Sequence, residues 1–361
     1  MLLAAMMAQG LALPAAQTPP KPTPPAASAA LRVVWQHDLT LPEGVPESSK
    51  GAPRLAAGDS FYFLNSEVLG LTAYAAEDGH EAWTSGHVSS LPSVPFGKRV
   101  AVASQGAVIV LDQATGAVVW QVNVPGDPLS LFAFGDRVGV VVGKEILAWS
   151  GPGDPTRTNL GAEAATRVVV NKGVLYVGLA EPALLAADAT TGVVRWRIPL
   201  PARPQSLTAS DDLLYLGAED TRIYFYRTTG DPKWVKRRLL VATRGDPAVD
   251  ERFVYFTFQD NTIRAFDRKG GSEQWSKELG SRPKSGPMVL GSTLAVALET
   301  GAIVELTSKR GQILVPGEPP GLAEARLQSV ALNADRSRLF TMATKKDDSR
   351  IIVAWGHPAA K

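Results

Sequence analysis

The sequence predicts an all-β protein, an eight-bladed β-propeller of four-stranded blades, and three observations lead to that prediction. A turn glycine recurs at intervals of about 40 residues, which is the range in which propellers and solenoids repeat. A tryptophan follows the glycine by four residues in five of the copies. Short apolar runs bounded by turn residues fill the rest of each copy, a pattern typical of β-strands.

The repeated element is a β-hairpin, and its best copy runs from Gly106 to Val122. The glycines stand at Gly79, Gly116, Gly153, Gly192, Gly230, Gly271 and Gly311. The tryptophans that follow them are Trp83, Trp120, Trp196, Trp234 and Trp275. Because each tryptophan has a set position relative to its turn, we expect it to place a large apolar surface against the neighbouring copy.

The turn itself has a simple chemical logic. Its glycine can adopt a positive φ, which the tight turns between twisted antiparallel strands require. Three copies place an aspartate four residues before the glycine, at Asp112, Asp188 and Asp267. A carboxylate in that position can accept hydrogen bonds from the turn amides, which is a structural role.

Two further strands precede each hairpin, so the unit has four strands. The second strand is the clearest, and its eight copies are 61–64, 100–103, 138–142, 174–177, 213–216, 253–258, 294–298 and 339–342. Third strands alternate apolar residues with period two, as at Ile109 and Leu111, and this alternation predicts one face buried between adjacent blades.

The two ends of the chain predict how the ring closes. The eighth unit stops after a third strand that ends at Trp355, and the segment 31–36, which contains Trp35, resembles a fourth strand without its first three. Pairing these strands would remove both open edges of the array. We therefore expect a propeller over residues 31–357, closed by the N-terminal strand in the last blade.

The N-terminal residues resemble a targeting segment. Residues 1–16 are almost wholly apolar and lack the basic leader of a full export signal, and residues 17–30 form a Pro/Ala-rich spacer. Two other interpretations are open, a disordered tail or a start placed too far downstream. The export interpretation predicts a periplasmic or cell-envelope location, and the run is too interrupted for a transmembrane helix.

Composition excludes several classes of function. The formal net charge of +2 provides no general polyanion-binding surface, so no nucleic-acid partner is expected. The chain has no cysteine, which excludes disulfides, thiolate metal sites and a cysteine nucleophile. Its four histidines show no metal-ligand spacing. The basic stretch 233–238 is either solvated edge charge or an anion site.

Two units depart from the repeat. The third has Arg157 in the tryptophan position, and the seventh has Val315 there, followed by a longer segment. Counting back from Gly153 places Trp149 in the third turn, in the position that aspartate takes elsewhere. That alignment predicts a tryptophan of little importance for stability. Either drift within the repeat or a local function accounts for the irregular units.

The motif of an apolar strand, Asp-x-x-Thr-Gly and a tryptophan four residues later resembles the quinoprotein, or PQQ-like, β-propeller repeat. Residues 111–120 (LDQATGAVVW) and 187–196 (ADATTGVVRW) match it closely, and 266–275 (FDRKGGSEQW) keeps the frame. The family contains quinone-dependent dehydrogenases, kinase sensor domains and BamB-type outer-membrane assembly propellers. In length, unit number and expected export the chain looks most like the BamB type, although it lacks the lipidation cysteine.

The resemblance also implies what a quinoprotein enzyme would need. Family sites combine calcium-binding carboxylates, a catalytic aspartate and a vicinal disulfide against the quinone ring, and this chain has no cysteine to form the disulfide. No catalytic, cofactor-binding or metal-binding residue is therefore assigned, and no cofactor is expected.

Basic residues recur in the connections between units. They are Arg203, Arg244 and Arg282, with Lys284 beside the last. In propeller topology these connections share a face with the loops between second and third strands, which carry acidic residues. The basic residues either bind an acidic protein partner or pair with these acids.

We therefore expect a monomeric, non-enzymatic, exported propeller that acts as a protein-interaction scaffold, in envelope or outer-membrane protein assembly. A quinone-dependent dehydrogenase and a sugar- or cell-wall-binding module are the alternatives.

Overall fold

The computed structural model describes residues 30–39, 53–66, 70–89, 91–235, 239–317, 325–333 and 335–357. Their regular structure is entirely β-strand, arranged as eight four-stranded antiparallel sheets in a ring. The predicted eight-bladed propeller is confirmed. The expected export segment 1–16 and all but the last residue of the spacer 17–30 lie outside the described residues.

Strands follow one another outward from the first, innermost strand of each blade. Blades 1 and 2 contain β2 (Arg54–Ala57), β3 (Phe61–Ser66), β4 (Gly70–Ala75), β5 (Glu81–Ser85), β6 (Val94–Phe96), β7 (Arg99–Ser104), β8 (Ala107–Asp112) and β9 (Val118–Asn123). Blades 3 and 4 contain β10 (Pro128–Phe134), β11 (Arg137–Val142), β12 (Glu145–Trp149), β13 (Thr156–Asn159), β14 (Val169–Asn171), β15 (Val174–Leu179), β16 (Ala183–Asp188) and β17 (Val194–Pro199).

The second half repeats this order. Blades 5 and 6 contain β18 (Pro204–Ser210), β19 (Leu213–Ala218), β20 (Ile223–Arg227), β21 (Pro232–Val235), β22 (Ala248–Val249), β23 (Phe253–Thr257), β24 (Thr262–Asp267) and β25 (Glu273–Glu278). Blades 7 and 8 contain β26 (Met288–Leu290), β27 (Thr293–Ala297), β28 (Ile303–Thr307), β29 (Ile313–Gly317), β30 (Arg326–Leu332), β31 (Arg338–Thr344), β32 (Arg350–Gly356) and, from the N-terminus, β1 (Arg32–Leu39).

The ring closes as the sequence predicted. β1 pairs antiparallel with β32, from Arg32 opposite Gly356 to Leu39 opposite Arg350, and so supplies the fourth strand of blade 8. A buried carboxylate in blade 7 holds both chain ends. Glu305 accepts a hydrogen bond from the Leu31 amide at 2.7 Å, and its other oxygen lies 2.6 Å from Nε2 of His357.

The hydrophobic core is divided among the blade interfaces. Among the described residues, the buried apolar side chains form eight clusters, one between each pair of adjacent blades. Alternate side chains of each inner strand enter the two neighbouring clusters, since successive residues of a strand point to opposite faces. Each sheet is thus apolar on both faces.

The repeat tryptophan bridges neighbouring blades. The indole Nε1 of Trp83 donates to the carbonyl of Gln113 in the next blade at 2.8 Å, and a Cβ on Gly116 would lie 2.7 Å from the Trp83 ring. The turn glycine is therefore required for close approach as well as for its φ of +70°. The same donor bond and the same ring contact recur in the pairs Trp35 with Gly79, Trp196 with Gly230, and Trp275 with Gly311.

The turn aspartates act as local caps. Oδ1 of Asp112 accepts bonds from the amides of Ala114 and Thr115, both at 3.0 Å. Asp188 and Asp267 bind the amides two and three residues ahead in the same way. The side chain of Trp234 lies outside the described residues.

The third unit corrects one prediction. Trp149 is not in the turn: it ends β12 opposite Val138, the register that Leu111 has in blade 2, and its side chain is only 3% exposed. The hairpin after Trp149 is two residues shorter than that of blade 2, because Ala148 lies opposite Thr156 whereas Val110 lies opposite Trp120, so counting back from Gly153 misplaced the residue. Thr156, and not Arg157, takes the tryptophan position of this blade. Trp149 instead packs in the core cluster that contains Trp120.

Candidate partner-binding face

The propeller has two faces with different loops. We call the face formed by the turns between second and third strands and by the connections to the next blade the connection face. The amide of Glu219 donates to the carbonyl of Arg203 at 3.0 Å, and that of Glu299 donates to Arg282 at 2.9 Å. These bonds place the basic connections beside the acidic turns. The opposite, hairpin face carries the other two turns of each blade.

The three arginines occupy two positions within their connections. The carbonyls of Arg203 and Arg282 accept from the following second-to-third-strand turn, and Ala242 does so in blade 6. Arg244 lies two residues later, where its amide donates to Thr257 as the Lys284 amide donates to Ala297. Arg244 of blade 6 is therefore equivalent to Lys284 of blade 7. The position of Arg244 before a turn residue in the sequence did not reveal this equivalence.

Two of the arginines pair with acids on this face. Arg244 Nη2 lies 2.5 Å from Oε1 of Glu299 in the next blade, and Arg203 Nη1 lies 3.7 Å from Glu219. The Arg203 pair is about half exposed at both side chains, so it contributes little to stability. The interpretation that the arginines pair with neighbouring acids is correct for these two. Within the described residues, the exposed side chains of Arg282 and Lys284 have no acidic partner.

A cleft opens beside Lys284 on the connection face. It has a volume of about 640 Å³ and lies between blades 7 and 8, with Glu299, Arg326 and Gln328 among its lining residues. The volume and the mixed charge suit a polar segment of another protein more than an apolar small molecule.

Leu240 is the residue that sequence reasoning missed. It lies in the connection between blades 5 and 6, it is 83% exposed, and its φ is +64°. The amide of the preceding residue, Leu239, donates to the carbonyl of Thr221 in the adjacent turn. In two other connections, the residue after the equivalent donor is a glycine with positive φ, Gly161 or Gly280. A leucine therefore stands where glycine relieves the backbone. In the sequence it lies within the apolar run 239–242 (LLVA), so no local signal distinguished it.

A second exposed leucine lies on the same face. Leu129 is 55% exposed and occupies a β-bulge at the start of β10. The equivalent bulge residues of β18 and β30 are the polar Gln205 and Gln328. Isolated exposed leucines are common, but this one again replaces a polar residue of the repeat.

Near the axis, Asp246 marks the inner rim of the connection face. Burial raises the pKa of this carboxyl, while the Arg167 guanidinium 3.9 Å away and a hydrogen bond from the Leu207 amide lower it. The inner rim thus has a carboxylate whose charge depends on its neighbours from blades 4 and 5.

Comparison with known proteins identifies the family. The family model described as "Outer membrane protein assembly factor BamB" matches residues 28–160, 148–310 and 259–339. The chain belongs to the BamB family. The comparison with curated proteins finds no match.

Solved structures share this fold at low sequence identity. BamB from Moraxella catarrhalis has a TM-score of 0.70 and 18% identity, over 92% of this chain and 99% of that one. The computationally designed Ika8 protein has a TM-score of 0.67 and 12% identity, over 90% and 99%. The quinohemoprotein alcohol dehydrogenase ADHIIG from Pseudomonas putida HK5 has a TM-score of 0.65 and 11% identity, over 92% and 77%. At such identities the likeness concerns the fold.

Across the described ranges, no group of three or more histidine, aspartate or glutamate side chains is placed to hold a metal ion. Oδ1 of each repeat aspartate accepts hydrogen bonds from turn amides, and the chain has no cysteine. In the part of the chain that the structure describes, no helix is long and apolar enough to cross a membrane.

Proposed function

We propose that this protein is a non-catalytic scaffold that binds a protein partner through its connection face, outside the cytoplasm, in the assembly of outer-membrane proteins. Membership of the BamB family supports a role in outer-membrane protein assembly, because the family model is described as an outer membrane protein assembly factor. The absence of a cofactor and the monomeric state belong to the same proposal.

The observation that carries the proposal is Leu240. A leucine at φ +64° costs stability relative to glycine, and its exposed apolar surface gains nothing in the free protein. Burying such a side chain in a partner would contribute about 1.5–3 kcal/mol. A residue that is unfavourable for folding and favourable for binding is expected where function and stability compete.

The charged residues of the same face support this role. Arg282 and Lys284 have no acidic partner among the described residues, and arginine is enriched among the residues that contribute most to binding. An acidic partner would pair with both and be oriented by them. The leucine supplies apolar contact, and the cations supply specificity.

The substitution Leu240→Gly tests the proposal. We expect it to raise the free energy of unfolding by up to about 1 kcal/mol, because glycine relieves the positive φ. We also expect capture of outer-membrane proteins from a detergent extract of the envelope to fall by about tenfold. Urea unfolding and quantitative mass spectrometry of the captured proteins measure the two effects.

The matched control is Val193→Ala, since Val193 is 63% exposed but follows the turn glycine of blade 4 on the hairpin face. It should leave capture unchanged. Undiminished capture by Leu240→Gly would contradict the proposal. Turnover of an alcohol or an aldose by the wild-type protein after addition of quinone and calcium would favour the dehydrogenase alternative.

A further inference from the structure

A second site lies on the hairpin face, between blades 5 and 6. A cleft of about 490 Å³ opens there, a volume within the range of small-ligand pockets. Its lining contains four acidic residues, Asp211, Asp212, Glu251 and Asp267, and five basic ones, Arg227, Lys233, Arg252, Arg268 and Lys269. The cleft is separate from the connection face, because its lining comes from the hairpin-face turns of both blades and from strand residues next to those turns.

Arg268 forms a rigid part of this cleft. Its buried guanidinium crosses from the outer turn of blade 6 to blade 5, where it donates to the Tyr215 hydroxyl at 2.8 Å and to Asp211 at 2.6 Å. A further bond goes to the Asp250 carbonyl at 2.8 Å. With its donors occupied and its charge paired, Arg268 fixes the two blades relative to each other.

Three other cations of the cleft have no such partner. The side chains of Arg227, Lys233 and Lys269 form no ion pair or hydrogen bond with the described residues. Arg227 is the unexpected one, because it begins the outer turn of blade 5 in the position of the capping aspartate: the Gly230 amide donates to Arg227 as the Gly116 amide donates to Asp112. Blade 5 has thus a cation where three blades have a carboxylate.

Three of the four acids that line the cleft are already engaged. Asp211 pairs with Arg268, and Asp212 pairs with Lys172 outside the cleft at 3.0 Å. Asp267 accepts from the amides of its own turn. Burial lowers the pKa of Lys233, the charges of Arg227, Arg268 and Lys269 lower it further, and the charge of Asp267 raises it. The fourth acid of the lining is Glu251, so five basic side chains face four carboxylates and a net positive charge remains.

We propose that this cleft binds a phosphate-bearing anion through Arg227, Lys233 and Lys269. A phosphate group has several strong acceptor oxygens, which suit one planar guanidinium and two ammonium groups converging from two blades. Both a soluble phosphate ester and a phospholipid headgroup carry this chemistry. The site goes beyond the proposed scaffold function and does not depend on it.

The neighbouring cleft between blades 6 and 7 provides a control. It has the same volume, but Arg252 there lies over the Phe253 ring, 5.1 Å from its centroid, and the remaining exposed lysine is Lys309. Lys309 occupies the turn position of blade 7 that Lys269 occupies in blade 6, two residues before the turn glycine in both cases. Lys309→Ala therefore removes an equivalent surface charge outside the proposed site.

Calorimetric titration of the full chain with pyrophosphate at low salt tests the proposal, together with flotation on phosphatidylcholine vesicles with and without phosphatidylglycerol. We expect saturable binding that falls about tenfold or more in Arg227→Ala and in Lys269→Ala, since a hydrogen bond to a charged group is lost. Lys309→Ala should bind as the wild type does. Thermal unfolding of each exposed-site variant verifies that it is folded.

The two arms separate the sources of the phosphate. Binding of pyrophosphate without a preference for phosphatidylglycerol assigns a soluble phosphate ester, and the reverse assigns a lipid headgroup. Absence of binding in both arms, or an equal loss in Lys309→Ala, overturns the proposal. Neither result affects protein capture through Leu240, so the failure of this site and the failure of the scaffold function are distinguishable.

Discussion

Single residues of the repeat perform more than one task. Gly116 supplies a positive φ and also leaves room for the Trp83 ring of the preceding blade. Trp83 in turn covers the turn and donates a hydrogen bond to it. Trp120 faces the irregular third blade, and its buried Nε1 has no acceptor among the described residues. An irregular turn in one blade thus affects the tryptophan of the blade before it.

At this scale we expect Trp149→Ala to destabilise the protein about as much as Trp120→Ala. Both rings are nearly fully buried in one core cluster, and removing a buried tryptophan costs about 3–5 kcal/mol. Urea unfolding of the two variants makes the comparison. A loss for Trp149→Ala much smaller than that for Trp120→Ala would restore the alignment that places Trp149 in the turn.

At the scale of elements, closure of the ring joins strands from opposite ends of the chain. β1 gives blade 8 its fourth strand, and Glu305 binds the backbone just before β1 and the histidine just after β32. A non-local closure of this kind constrains the whole array, because the open edges of blade 8 would otherwise be unpaired.

Deletion of residues 1–38 should lower the free energy of unfolding by several kcal/mol, since it removes β1 and the ring of Trp35. Deletion of residues 1–28 should change it very little. Thermal unfolding compares the two truncated chains, and equal melting temperatures would contradict closure by β1.

A double-mutant cycle extends this test. In the full chain, Glu305→Ala should cost about 1–3 kcal/mol, because a buried hydrogen-bond acceptor is lost and its donors remain. After deletion of residues 1–38 one of these donors is gone, so the added cost should be smaller. Simple additivity of the two changes would show that Glu305 does not act through the chain ends.

At the scale of the whole molecule, the two faces differ in chemistry. The connection face carries the exposed Leu129 and Leu240, and also Arg282 and Lys284, which have no acidic partner in the described ranges, whereas the hairpin face carries the basic cleft. A propeller can carry separate sites on its two faces because its strands pack against one another, while the loops on each face can vary in sequence.

Replacing Arg282 and Lys284 together by alanine should weaken capture of an acidic protein partner, more at low salt than at high salt, because exposed charges are screened. The melting temperature should stay within a few degrees, since neither side chain has an acidic partner among the described residues. Arg203→Ala is the control, because its side chain already pairs with Glu219. Equal capture by the double variant and the wild type would exclude these two residues from the binding surface.

The sequence by itself determined the architecture of this protein. Turn glycines, tryptophans and strands of period two are local signals, and in a repeat protein each signal occurs several times. The blade number, the strand order and the closure by β1 could therefore be predicted from the sequence. The misplacement of Trp149 and Arg157 arose where a shorter hairpin shifted a single copy, because spacing alone does not show which residue faces the core.

Tertiary structure decided the sites. Whether Arg244 pairs with Glu299 depends on the register of a connection against the next blade, and whether Arg227 is unpaired depends on where the nearby acids find partners. The strain at Leu240 arises from a positive backbone φ that the residue pattern does not predict. Charge pairing and exposure are properties of neighbours distant in sequence, and only the assembled ring brings those neighbours together.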